Sequence, residues 1–271
     1  MDADKLDLSE PIVFASDAER EAAIAFFNAA YRAEESGLTQ AHELAAEVEA
    51  SDPDLAECLR LYGDEEGWHR ALLTQFIGYL GGEIRPMGRV TGTFYKLYGR
   101  AERAESIVLT NLMFETIGST TYRLALRRAR HPAVRQMLTI LTRDESFHVP
   151  LNVHFLREAL ARAPSGRVAR LRLRALHDVL FAALLASAAA SRRRARRFDQ
   201  IPFGVLARAY AEQLARLFLH EEDLAFEPPR ALLLLCGLDR GSLAASEHPS
   251  AVSIAAAEAA AERERVEVTA L

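Results

Sequence analysis

Apolar residues recur at steps of three and four along most of this chain, the spacing of one face of an α-helix. A first helix is predicted from a cap at Ser16 or Asp17 to about residue 50, with Ile24, Phe27, Tyr31, Leu38, Ala41, Ala45 and Val48 on its apolar stripe. Ser51-Asp52-Pro53 marks a short turn. A second, antiparallel helix should then return as far as Leu80, where Gly81-Gly82 stops it. Residues 81–100, with Pro86 and three further glycines, read as a long connection. A third helix is predicted over 101–130, with Val108, Leu112, Glu115, Ser119, Tyr122 and Leu126 on its stripe. His131-Pro132 breaks it, and Pro132 suits the first turn of a fourth helix running to about residue 163. Further helices are expected over 168–197, 203–224 and 230–238, followed from 241 by an Ala- and Glu-rich stretch with little to bury, frayed or disordered. The pattern is all-α: residues 1–16 lead in, 17–163 make two helical hairpins, and 164–240 add helices packed upon them.

Composition agrees, since half of the 271 residues are apolar and the good helix formers Ala, Leu and Arg dominate. Cys58 and Cys236 form no motif, so no disulfide framework is expected. The acidic, polar residues 1–10 do not resemble a signal peptide, and the longest nearly apolar run, 179–190, is too short to span a bilayer. A soluble, cytoplasmic chain without membrane contact is the expectation.

Two stretches carry chemistry. Glu66-Gly67-Trp68-His69 and Glu145-Ser146-Phe147-His148 each hold a Glu-x-x-His pair. A three-residue step on a helix turns about 300° and rises about 4.5 Å, so each pair points one way from adjacent turns. A carboxylate beside an imidazole suits a borderline transition-metal ion. Glu35 and Glu115, inside the stripes of the other two helices, complete the set by which four-helix bundles hold two metals. Heights support it. Glu35 lies 17 residues before Asp52 and Glu66 lies 14 after it, while Glu115 lies 16 before His131 and Glu145 lies 14 after it. At about 1.5 Å per residue, all four sit about 20–25 Å from their turns. Glu34 also lies on the apolar side, but Glu35 gives the better height match. Four carboxylates and two neutral imidazoles would be balanced by two divalent ions.

Around this set, Asp144 and Glu65 are candidates to orient the histidine of the opposite pair. Ser119, one turn beyond Glu115, is a candidate to relay protons, or else a serine bonded back to its own helix. Gly118 marks close packing or room for a small ligand, and Tyr122 reads as a core aromatic. Pro150 should kink the fourth helix or widen a turn, either as a packing feature or as an opening beside the metals. His42 reads as a supporting or core residue; His154, His177 and His220 have no partnered spacing with the ligands. The run Arg192, Arg193, Arg194, Arg196 and Arg197 is of a kind that docks an acidic carrier or nucleic acid, but it equally suits a solvated helix end, which is the reading taken here.

With Glu35, Glu66-x-x-His69, Glu115 and Asp144-Glu145-x-x-His148 in place, residues 17–163 resemble the ferritin-like di-iron carboxylate superfamily. The resemblance implies a ferritin-like four-helix bundle with one long crossover and additional C-terminal helices. It also implies two iron ions, with manganese admissible in one position, and O₂ as co-substrate. The stretch Glu65-Glu66-Gly67-Trp68-His69, with Phe114-Glu115 and Asp144-Glu145-Ser146-Phe147-His148, is similar to acyl-carrier desaturases, and the ligand spacing to aldehyde-deformylating oxygenases. The implied activity is an O₂-dependent oxidase or oxygenase (hydroxylation, desaturation or N-oxygenation) on a hydrophobic or carrier-bound substrate. Electrons would come from an external ferredoxin-type donor, since no flavin or nicotinamide motif is present. The alternative is a ferroxidase or iron-storage protein assembling into a cage, and a homodimer is compatible with the exposed helix faces.

Overall fold

A computed structural model describes residues 6–86, 103–162, 166–220, 224 and 228–238. Every regular element among them is a helix, so the chain is all-α. In order these are α1 (Asp17–Val48), α2 (Pro53–Tyr79), α3 (Ala104–Leu126), α4 (Pro132–Arg162), α5 (Arg167–Asp199), α6 (Phe203–His220) and α7 (Arg230–Leu235). The expected connection over 81–100 lies outside the described residues from 87 onward, and so do the first five residues and the stretch from 241.

The helix ends follow local chemistry. Ser16 takes the first cap, its hydroxyl accepting from the Glu19 N–H. Asp52 caps α2 by accepting from the Leu55 N–H at 3.0 Å, with Pro53 in the first turn, where its missing N–H costs nothing. Gly81 ends α2 with φ +73°, a conformation that glycine adopts freely. Pro132 opens α4 as its sequence context predicts, and His131 Nδ1 accepts from the Ala133 N–H at 3.3 Å. Pro150 lies buried within α4, and the helix continues past it to Arg162.

The chain divides into two compact units. The first comprises Met1–Gly99, Ala129–Met137 and Arg194–Gln200. Its centre is the α1–α2 hairpin, with Phe27 and Phe76 edge to face at 4.7 Å and Phe198 against both Phe26 and Phe27. Each fully buried phenylalanine contributes on the order of 2–3 kcal/mol. Buried Asn28 ties the chain beyond α2 back to α1. Its Nδ2 donates to Ile24 O at 3.0 Å and to Glu83 O at 3.1 Å, and its Oδ1 accepts from the Arg85 N–H at 2.7 Å.

The second unit comprises Arg100–Arg128, Leu138–Arg193 and Ile201–Leu271. Here α6 lies against α3: Thr120 Oγ1 donates to Gln213 Oε1 at 2.7 Å, and Gln213 Nε2 donates to Ser119 Oγ at 3.4 Å. Phe181 and Tyr210 stack at 5.4 Å, joining α5 to α6. His177 is fully buried, stacked on Phe181 and edge-on to Phe218, with Nδ1 2.9 Å from Asp178 Oδ1. Within α5, Arg167–Ala190 is long and apolar enough to cross a membrane by length and composition, a wider stretch than the sequence pattern marks; one third of it is buried in the protein, and core helices pass the same test. Of the arginine run, Arg192 is buried, whereas Arg194, Arg196 and Arg197 face outward as a solvated helix end does.

Two measurements check these contacts. Asn28→Ala should lower stability by about 1–3 kcal/mol, the cost of leaving buried backbone groups without their partner. That would appear as a lower urea midpoint at unchanged m-value; an unchanged midpoint would show that other contacts hold residues 83–85. His177 provides a pH test. Burial holds its pKa below 6.5, an effect that Arg174 reinforces and Asp178 opposes. The unfolded chain therefore binds a proton that the folded chain does not. This contribution to stability is complete above pH 6.5 and is lost as pH falls below it, at no more than about 1.4 kcal/mol per pH unit. Between pH 7 and 5, the denaturation midpoint of His177→Gln should fall less steeply than that of the wild type.

Candidate metal centre

The first cluster is set by the register of α1 against α2. Phe27 meets Phe76, Glu34 meets His69, Gly37 meets Glu66, and Ala41 meets Gly63. Each step toward the turn on α1 is matched to within one residue by a step on α2, as in any antiparallel helix pair. His69 Nδ1 lies 3.1 Å from Glu34 Oε2, with both side chains removed from solvent. Glu66, one turn before His69 on α2, is buried with them.

Of the two neighbouring glutamates on α1, this register encloses Glu34 and not Glu35, the ligand expected from the sequence. The Glu34 side chain is 1% exposed and lies on His69, whereas that of Glu35 is 32% exposed and pairs with Arg32 at 2.5 Å. Tyr31 Oη also donates to Glu35, at 3.5 Å. The stripe that meets α2 runs through Phe27, Ala30, Glu34, Gly37, Ala41 and Leu44, all buried. Its small members carry little hydrophobic signal, and the larger Tyr31 and Leu38 pulled the reading one position along. Opposition to His69 across the turn was the signal that would have selected Glu34.

The second cluster lies on α3 and α4. His148 is fully buried, its Nδ1 3.5 Å from Glu145 Oε2 and 3.9 Å from Glu115 Oε2. Glu145 is buried and Glu115 nearly so. Asn152, one turn on, donates through Nδ2 to His148 O at 3.0 Å. Asp144 is buried and accepts from its neighbour Arg143 at 2.6 and 3.1 Å. Ser119 is also buried, but its hydroxyl donates to Thr116 O on its own helix at 3.2 Å, the plainer of its two expected roles. Of the remaining histidines, His42 is half-exposed with Nε2 3.2 Å from Asp64 Oδ1, and the side chain of His220 lies outside the described set.

All six residues, Glu34, Glu66, His69, Glu115, Glu145 and His148, belong to buried sets of carboxylates and histidines that could hold a metal ion. On each hairpin a carboxylate and an imidazole stand at a separation that one ion could bridge. Donors bound about 2.1 Å from one ion stand about 3.0 Å apart at an octahedral corner and about 3.4 Å apart in a tetrahedron. The Glu34–His69 and Glu145–His148 separations match these edges, and Glu115 needs a shift of about half an ångström. The charges also agree, since each hairpin brings two of these carboxylates, the charge that one divalent ion balances. In an apolar interior that balance matters, because an uncompensated carboxylate costs several kcal/mol. Compared with known proteins, the chain matches no family model, no curated protein and no solved structure.

The choice between the two neighbouring glutamates is open to measurement. After anaerobic loading with ferrous iron, Glu34→Gln should lose at least about half of the bound metal, whereas Glu35→Gln should retain the wild-type content. Equal metal contents in the two variants would return Glu34 to the role of a buried hydrogen-bond partner.

Proposed function

We propose that this chain is a non-haem di-iron, O₂-dependent oxidase or oxygenase acting on a hydrophobic or carrier-bound organic substrate. The observation that carries the reading is the duplicate cluster: two carboxylates and one imidazole, buried, on each of two helical hairpins. A single buried cluster is compatible with a structural ion. Two of the same composition, each built on a Glu-x-x-His pair, are the donor set of a two-metal carboxylate centre.

In this reading Glu34, Glu66, His69, Glu115, Glu145 and His148 hold the two ions. Iron in such a set supplies the reduction of O₂ and the oxidation of a nearby substrate. The chain's own part is positioning and exclusion. Rigid helices fix the donors, and apolar side chains keep water from them; Leu109, Leu112 and Met113 on α3 are all fully buried. Helix α6 brings Gln213 to Ser119, one turn from Glu115, which supports a role for the later helices in bounding the reaction space. Electrons reach the centre from an external donor of ferredoxin type.

The test is metal content per chain after expression with iron, with optical spectra recorded anaerobically and after admitting O₂. About two irons per chain and a visible band that appears with O₂ and decays are expected. Wild-type protein with no bound iron, matching a Glu145→Ala variant, would overturn the reading. Assembly into a cage with many irons per chain would move it to iron storage.

A further inference from the structure

Gly37 stands on the same face of α1 as Glu34, one turn nearer the hairpin turn, and is buried. A Cβ placed there would lie 3.0 Å from the Glu66 carboxyl carbon, 3.2 Å from its Cγ and 3.3 Å from its Oε1. Real Cβ atoms rarely come so close to a neighbour. The Glu66 carboxyl therefore rests against bare α1 backbone, in space that any other residue would partly fill. Glycine is among the worst residues for a helix interior, so packing between α1 and α2 alone would favour alanine here, as at Ala30 and Ala41.

We infer that Gly37 is a positioning residue for the metal centre: by lacking a side chain, it lets the Glu66 carboxylate rest against α1 in the buried position from which it can bind metal. The inference rests on the metal reading above and identifies the element of α1 that sets one of its ligands. A neighbouring glycine does not share this role. Gly67 on α2 would meet only the Leu38 methyl groups at 3.6 and 3.8 Å, an ordinary contact.

The two effects of Gly37→Ala have opposite signs, which makes the role testable. Helix propensity raises stability, and displacement of Glu66 by a few tenths of an ångström weakens the site. Wild type, Gly37→Ala and Gly67→Ala would be titrated as apoproteins with ferrous iron under anaerobic conditions, with thermal unfolding of each apoprotein in parallel. Gly37→Ala should bind iron at least about ten-fold more weakly, or at half the stoichiometry, with an apoprotein Tm no lower than that of the wild type. Gly67→Ala should bind as the wild type does.

A second readout needs no metal. The rise in apoprotein Tm produced by Gly37→Ala should be larger in a Glu66→Ala background, where nothing is displaced, than with Glu66 present. Iron binding by Gly37→Ala equal to the wild type would overturn the inference while leaving the metal reading in place. So would an equal Tm change in the two backgrounds. A wild type that takes up no iron would overturn the metal reading and with it the role assigned to Gly37. If Gly37→Ala alone fails to fold, recovery of folding in Gly37→Ala/Glu66→Ala supports the steric conflict, and failure of both overturns it.

Discussion

Burying a carboxylate is the constraint to which most of this structure answers. Removing Glu34, Glu66 or Glu145 from water costs several kcal/mol unless cations or hydrogen-bond donors replace the lost hydration. A protein that needed these positions only for packing would fill them with leucine at no such cost. Each hairpin instead places an imidazole within 3.1–3.5 Å of a buried carboxylate, on helices rigid enough to hold that distance. The aromatic packing of Phe27, Phe76 and Phe198 elsewhere in the first unit offsets the cost of that burial.

Small residues at the helix contact serve the same end. The α1–α2 contact runs through Ala30, Gly37, Ala41 and Gly63, and a Cβ on Gly63 would fall 2.2 Å from the His42 ring. Glycines inside helices each cost about 1 kcal/mol relative to alanine. At two of them the partner helix presents something bulky or charged, Glu66 at Gly37 and His42 at Gly63. Gly37 and Gly63 thus lower helix propensity at the positions where the two helices of the hairpin come closest to a neighbouring side chain.

In the second unit α3 also buries several hydroxyls. Thr110, Thr116 and Thr121 on α3 each donate to the carbonyl one turn back, and Ser119 does so to Thr116. Such back-bonding satisfies a buried hydroxyl without recruiting water. Only Gln213 of α6 joins that network among the hydrogen bonds of Ser119 and Thr120 described above.

The all-α class, the helix boundaries to within a few residues, the turn at Asp52-Pro53 and the break before Pro132 could all be read from the sequence, because caps, prolines and three-four apolar spacing act over a few neighbouring residues. The two Glu-x-x-His pairs were legible for the same reason: a three-residue step on a helix fixes a shared direction whatever surrounds it. The choice of Glu34 over Glu35 was not, since adjacent residues on a helix differ by about 100° and only the facing helix decides which of the two is enclosed. Likewise the closeness of Gly37 to Glu66, the turn of Ser119 back onto Thr116 and the burial of His177 between Phe181 and Phe218 depend on residues far apart in the chain. Local sequence determined which residues could form a site; the register of one helix against the next decided which of them are enclosed together.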